Sequence, residues 1–266
     1  LIHGLNANNH DNFDNLTAMI KQRHPGTITF ATPLYSNLSS IIRLTKQVED
    51  IGVEFMNFCK SHPQGVNLIG HSQGALIARA ILQYFPDHNV HNFISIAGPQ
   101  AGQYGTELLK KHLNWDLPKE IVYRIAYNEV GQHICSVANF WKDPRRNIQD
   151  LYYKEVKFLP EINNEVNHSK VDDFKKGIVK LNRLVLLGSQ NDTVIDPWQS
   201  AHFEFYDENE NVVPLKNQRI YKDDLFGLRT LDERGALITH SVSGVEHVVW
   251  VFDPALVDQY IIPYLD

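Results

Sequence analysis

The chain has 266 residues, 43% of them hydrophobic and 21% charged, which is an ordinary balance for a folded globular protein and fits one large domain. Its formal charge of −6 excludes nucleic acid or an anionic membrane surface as the main partner. No run approaches the roughly 18 apolar residues needed to cross a bilayer, so a transmembrane segment is excluded as well. Two cysteines, Cys59 and Cys135, are too few for a disulfide framework and lack metal-ligand spacing, so free buried thiols are expected in preference to a bridge. Asn-x-Ser/Thr sequons begin at Asn15, Asn37, Asn167 and Asn191, a small excess over chance that points toward a secretory route.

The opening Leu1-Ile2-His3-Gly4 reads as a processed or truncated start inside a β-strand. Residues 27–31 (Thr-Ile-Thr-Phe-Ala) read as a strand closed by Pro33. Leu44, Val48, Ile51, Phe55 and Phe58 step by four and three, which places them on one face of a helix. Val66-Asn67-Leu68-Ile69 is a strand flanked by glycines, followed by an amphipathic helix through Leu76, Ile77, Ala80, Ile81 and Tyr84 that stops before Pro86. Residues 93–97, 183–187 and 236–239 are further strands, and 254–264 a final helix. Such alternation is the signature of a parallel sheet covered on both faces. It lapses between Gly98 and about Lys180, in a segment carrying Tyr104, Trp115, Tyr123, Tyr127, Phe140, Trp141, Tyr152, Tyr153 and Phe158. An insertion of that length after a central strand predicts a cap or lid over 98–180, within a single domain spanning 1–266.

Gly70-His71-Ser72-Gln73-Gly74 matches G-x-S-x-G directly between a strand and a helix. In that context the serine is forced onto a strained turn, with its hydroxyl above the carboxyl edge of the sheet and beside free helix N–H groups. Ser72 is therefore the expected nucleophile. The N–H of Gln73 is one expected oxyanion donor and that of Leu5, in the early His3-Gly4-Leu5 loop, is the other. In this chain order the histidine comes last. His247 lies in the loop after the last strand and is preferred to His240, which ends the strand itself. His71, adjacent to Ser72, is expected to face away. The acid should follow the strand ending near Leu187-Gly188, where Asp192 and Asp196 share one loop. Spacing does not separate these two, and the unused one is expected to serve as a turn or cap residue.

At these residues the sequence resembles the palmitoyl-protein thioesterase family, nearly end to end. The resemblance rests on His3-Gly4-Leu5, the 70–74 elbow, 94–105 (ISIAGPQAGQYG), 140–144, 158–165, 191–200, Phe205-Tyr206, 224–227 and Glu246-His247, and is closest to the family's lysosomal second paralogue. It implies an α/β-hydrolase fold with Ser72, Asp192 and His247 as triad, no metal or organic cofactor, and a lysosomal or secreted hydrolase of long-chain acyl thioesters, whether acyl-CoA or acylated protein. It also implies a disulfide from the helix holding Cys59 to a position where this chain has Phe85, so that bridge is absent. A monomer is expected. Insert side chains, Trp141, Tyr104 and Gln100 among them, are candidates to bind the acyl chain. The competing readings are a lipase or carboxylesterase acting on oxygen esters and a catalytically inactive binding protein of the same fold.

Overall fold

The computed structural model describes residues 1–7 and 9–265, with the backbone alone for 9–12. The β-branched and leucine-rich runs become strands β1 (Val66–His71), β2 (Val90–Ile96) and β3 (Arg183–Gly188), a two-residue ribbon of β4 (Phe205–Tyr206) and β5 (Val212–Val213), and β6 (Leu237–Ser241). The sheet runs β1-β2-β3-β6 with every pair parallel. Alternation along the strands explains its two faces. Phe93, Leu184 and Leu186 join one core with Leu76 and Ile77, while Ile94, Ile96, Val185 and Leu187 join another with Phe13, Leu16, Trp250 and Val257.

The helices before the insertion are α1 (Asn9–Arg23), α2 (Leu44–Ser61) and α3 (Gln73–Tyr84). Between β2 and β3 lie α4 (Glu107–Leu113), α5 (Lys119–Ala126), α6 (Glu129–Ile134), α7 (Arg146–Glu155), α8 (Phe158–Ile162) and α9 (Val171–Val179). Short α10 (Arg219–Lys222), α11 (Leu228–Glu233) and α12 (Pro254–Tyr260) complete the chain. Helices α2 and α9 pack on α3 over one sheet face, while α1 and α12 cover the other. Among the described residues 98–180 contain no strand, and the last helix of that stretch, α9, belongs to the layer that covers the sheet.

Several sequence expectations need correction. Residues 27–31 are assigned no strand among the described residues, and the chain start at Leu1 runs beside their end. The contacts are Thr32 N–H to Leu1 O and the Leu1 ammonium to Phe30 O, and Ile2 in turn makes a single bridge to Gly70. On α2 the buried face passes through Phe55 to Cys59, not Phe58, whose half-buried ring stacks on Phe30 and His62. The terminal helix ends at Tyr260, since Pro263 disfavours helical backbone at the residue before it; a 3-10 turn follows. Helix α1 and the β4–β5 ribbon had no expectation. Both cysteines are free and buried, and the Phe85 ring fills the space beside Gly52 on α2.

Arg79 ties α3 to the insertion. It is buried, donates to Asn163 Oδ1 at 2.8 Å and Gln100 O at 3.0 Å, and sits 5.1 Å from both the Phe203 and Phe226 ring centres. Burial lowers its pKa to about 9. Its hydrogen bonds and stacked rings compensate a charge that would otherwise be costly to bury.

Neutral buried histidines make stability pH-dependent. In His88, Nε2–H donates to Gly177 O and Nδ1 accepts from the Val90 N–H, so protonation breaks a bond; burial lowers its pKa to about 4. His202 is likewise lowered to about 4 and His71 to about 3, by burial first. Below the ordinary value of 6.5 the unfolded chain takes up protons that the native chain refuses. Stability is therefore full above 6.5 and falls toward pH 4, by up to about 1.4 kcal/mol per pH unit for each such proton. Chemical denaturation across that window should show this slope, and His88→Gln should flatten it by about one proton; an unchanged slope contradicts the assignment of His88.

Candidate active site

Ser72 follows β1 and begins α3 with φ 57° and ψ −132°, in the left-handed half of backbone space that a non-glycine residue occupies at a cost of about 1–3 kcal/mol. Its N–H continues the sheet by donating to Ile96 O at 2.8 Å. The flanking glycines are required by contact: a Cβ on Gly70 would lie 2.5 Å from Ala75 Cα, and one on Gly74 would lie 2.2 Å from Ile2 O. The tight turn thus projects the hydroxyl from the carboxyl edge of the sheet.

There the structure brings three distant side chains together. His247 Nε2 lies 2.8 Å from Ser72 Oγ, and His247 Nδ1 lies 2.7 Å from Asp192 Oδ2. Ser72, Asp192 and His247 are each at most 8% exposed. Burial on its own would raise the Asp192 pKa, but the facing His247 and two backbone bonds, from Val194 N (2.8 Å) and Ile195 N (3.0 Å), overcome this and leave it lowered. The ionised carboxylate holds the proton on Nδ1, which leaves Nε2 to accept from the serine hydroxyl. The loops are joined as well: Gly244 N–H donates to Asn191 Oδ1 at 2.7 Å, and Gln190 Nε2 to Ser243 Oγ at 2.7 Å.

The rival residues lie elsewhere. Asp196 is differently engaged: its carboxylate accepts from the Tyr206 hydroxyl at 2.6 Å, packs against Gly105 of the insertion and, among the described residues, caps no turn. His240 points from β6 to the Tyr264 hydroxyl at 2.8 Å. His71 does not simply face away. Its buried Nε2–H donates to the backbone carbonyl of His247 at 2.9 Å, and the two rings are 5.0 Å apart. Sequence order hid this, because the tether joins the last residue of β1 to a loop 176 positions later.

Gly4 lies against Ser72 so closely that a Cβ there would be 2.9 Å from Ser72 Cβ and 3.3 Å from Oγ, which sets the His3-Gly4-Leu5 loop beside the serine. Among the described residues neither the Leu5 nor the Gln73 backbone N–H has a hydrogen-bond acceptor. Ser40 braces both positions. Its carbonyl accepts from Gln73 Nε2 (2.9 Å) and Gln47 Nε2 (2.8 Å), and its hydroxyl accepts from the Asn6 N–H at 2.7 Å.

Trp141 lines a narrow apolar cavity of about 30 Å³ in the insertion, with Leu109, Val122, Ile125, Ile134 and Val137. Tyr104 stacks behind Trp141 at 5.7 Å and does not line the cavity. Gln100 is not brought there either: its amide donates to Ala75 O (3.0 Å) and Ser95 Oγ (2.9 Å), holding α3 to β2. A groove that the sequence gave no sign of adjoins the cavity; Leu38, Ile41, His112, Leu113 and Trp115 line it. His112 is within electrostatic reach of His247, and burial, more than that neighbour, lowers its pKa to about 4. Among the described residues no His, Cys, Asp or Glu cluster is arranged to hold a metal ion, and no helix is long and apolar enough to cross a membrane.

A family model described as palmitoyl protein thioesterase matches residues 1–247. The chain is 42% identical to a lysosomal thioesterase PPT2 homolog of Drosophila melanogaster over 267 residues, covering 100% of this chain and 91% of that protein. It is 38% identical to the human lysosomal thioesterase PPT2 over 268 residues, covering 100% and 86% respectively. Among solved structures, a Bacillus licheniformis lipase superposes with a TM-score of 0.57 at 15% identity, over 99% of this chain and 89% of the lipase, a likeness of fold alone.

Two expectations follow from the geometry. Asp192→Asn should lower kcat/KM on an activated ester by about 10³- to 10⁴-fold, while Asp196→Asn should cost no more than about tenfold; equal losses contradict the assignment of the acid. His71→Leu removes the donor to the His247 carbonyl and should lower kcat by about 10- to 100-fold with KM little changed, while His71→Gln, which keeps a donor, restores most of it. Equal kinetics for the Leu and Gln variants would contradict the tether.

Proposed function

The chain belongs to the palmitoyl protein thioesterase family, and we propose from that premise that it hydrolyses long-chain fatty-acyl thioesters through an acyl-enzyme on Ser72, in the lysosome as its named relatives do. The observation that carries the reading is the 2.8 Å approach of His247 Nε2 to Ser72 Oγ, with Asp192 behind the ring at 2.7 Å.

His247 takes the hydroxyl proton as Ser72 Oγ attacks the thioester carbonyl, and Asp192 stabilises the imidazolium that forms. The Leu5 and Gln73 amides, which have no acceptor among the described residues, hold the developing oxyanion. When the carbonyl reforms, the C–S bond breaks. A thiol has a pKa near ~8.5, far below an alcohol's, so its thiolate leaves with less help from the proton on His247 than an alkoxide needs. The departing sulfur takes the proton from His247 and leaves as the thiol; water then attacks the acyl-enzyme as the neutral His247 accepts its proton, and that proton returns to Ser72 Oγ as the fatty acid is released.

The stretch from Gly98 to about residue 165 acts as the cap in this reading. The groove past His112 and the cavity beside Trp141 form one apolar path in which an acyl chain would leave water. Ser72→Ala should abolish hydrolysis of palmitoyl-CoA and of a palmitoylated peptide while leaving thermal unfolding unchanged, because Ser72 lies at the sheet edge. Over a series from acetyl to palmitoyl thioester, kcat/KM of the parent protein should rise with chain length, and a nitrophenyl ester run beside them measures the oxygen-ester reading. Full activity in the alanine variant overturns the nucleophile, and a flat chain-length series overturns the acyl path.

A further inference from the structure

Two helices of the insertion turn aliphatic side chains outward. On α6 the polar Gln132 points inward, where its amide donates to Ala126 O at 2.9 Å and Ala138 O at 2.7 Å, while Val130 and Ile134, one turn apart, are 64% and 60% exposed. On α5, Val122 and Ala126 are buried, yet Ile121 and Ile125 still stand 37% and 44% exposed on the outer face. Trp115 (38%) and Leu38 (68%) extend the same surface. Continuity follows from shared walls: Trp115 and Ile134 line both the cavity and the groove, Ile125 lines the cavity, and Leu38 lines the groove. Water gains nothing from such a face, and contiguous exposed aliphatic side chains mark a surface that something else covers.

We infer that this face of α5 and α6, with Trp115 and Leu38, docks on the surface of a zwitterionic lipid bilayer and presents membrane-embedded acyl thioester to the groove. Two observations select a bilayer over a protein. Short amphipathic helices with aliphatic residues outward and a tryptophan among them match the boundary between headgroups and acyl chains, where apolar burial needs no matching shape. The face also shares Leu38, Trp115 and Ile134 with the groove, whose His112 lies within electrostatic reach of His247, so an acyl chain leaving the bilayer there enters apolar walls near the candidate site. The chain's net charge of −6 gives anionic lipid no attraction to add, and so the driving force is apolar insertion. The kind of substrate named here rests on the acyl-thioester reading above; the docking itself does not.

Co-sedimentation with phosphatidylcholine vesicles, with and without phosphatidylserine, tests the inference alongside kinetics on a water-soluble acetyl thioester. Ile121 and Val130 line neither the cavity nor the groove, so an Ile121→Glu/Val130→Glu variant should bind phosphatidylcholine vesicles at least about tenfold more weakly and keep soluble kcat/KM within about twofold. An Ile121→Ser/Val130→Ser variant should give the same result should the glutamates disturb folding. Phosphatidylserine should not strengthen binding. The inference is overturned by a parent protein that stays in the supernatant, by variants that bind equally well, or by binding that needs phosphatidylserine. A concentration-dependent doubling of mass in light scattering, abolished by the variants, overturns it in favour of a second copy of the chain. A parent protein that hydrolyses the acetyl thioester but does not bind vesicles removes the docking and spares the enzyme; a parent protein that binds vesicles but hydrolyses no thioester removes the enzyme and spares the docking.

Discussion

The contact on which the site depends is the hydrogen bond between His247 Nε2 and Ser72 Oγ, two atoms separated by 175 positions in the chain and 2.8 Å in space. The parallel sheet makes it available. Because β1, β3 and β6 all run the same way, the loops that leave their carboxyl ends emerge at one edge and deliver Ser72, Asp192 and His247 to a common point. An antiparallel arrangement would send alternate loops to opposite edges. The remaining polar geometry then serves the pair. Asp192 fixes the tautomer, Asn191 ties the two loops, His71 pins the histidine backbone, and Ser40 braces the stretch that carries Leu5 and Gln73.

The costs of this convergence are local and visible. Ser72 holds a left-handed backbone that only its surroundings impose, and Asp192 remains a carboxylate despite burial because His247 and two amides face it. Beneath the site, α3 is buried almost entirely, down to Arg79 and Gln83, and this rigid helix fixes the serine turn against the sheet. A strained turn needs such a support, since a softer one would relax the angle that exposes the hydroxyl.

How much of this was legible in the sequence depended on how far each signal reached along the chain. The four main strands and α2 and α3 could be read because burial repeats every two or about 3.6 residues. The elbow at 70–74 could be read because glycine, serine and glycine answer one local steric demand. Residues 27–31 looked like a strand since their composition fits one, but composition does not supply a neighbour to pair with. Asp192 and Asp196 were indistinguishable in spacing, being four positions apart in one loop; the family resemblance pointed to Asp192, and the structure puts Asp192 against His247 and Asp196 against Tyr206 and Gly105. Gln100 looked available for a ligand because a glutamine in a motif carries no mark of its partners; here both are internal. The groove past His112 had no signal at all, since its walls come from residues 38–41, 112–115 and 134–135.

The central claim is that Ser72 Oγ becomes covalently acylated during turnover. Mass spectrometry of the protein quenched in acid while it turns over palmitoyl-CoA tests this directly. The account predicts a palmitoyl adduct on the proteolytic peptide that contains Ser72, accumulating within the first turnover and discharged by water on longer incubation. Palmitate released at full rate with that peptide never modified, or an adduct on any other residue, would contradict it.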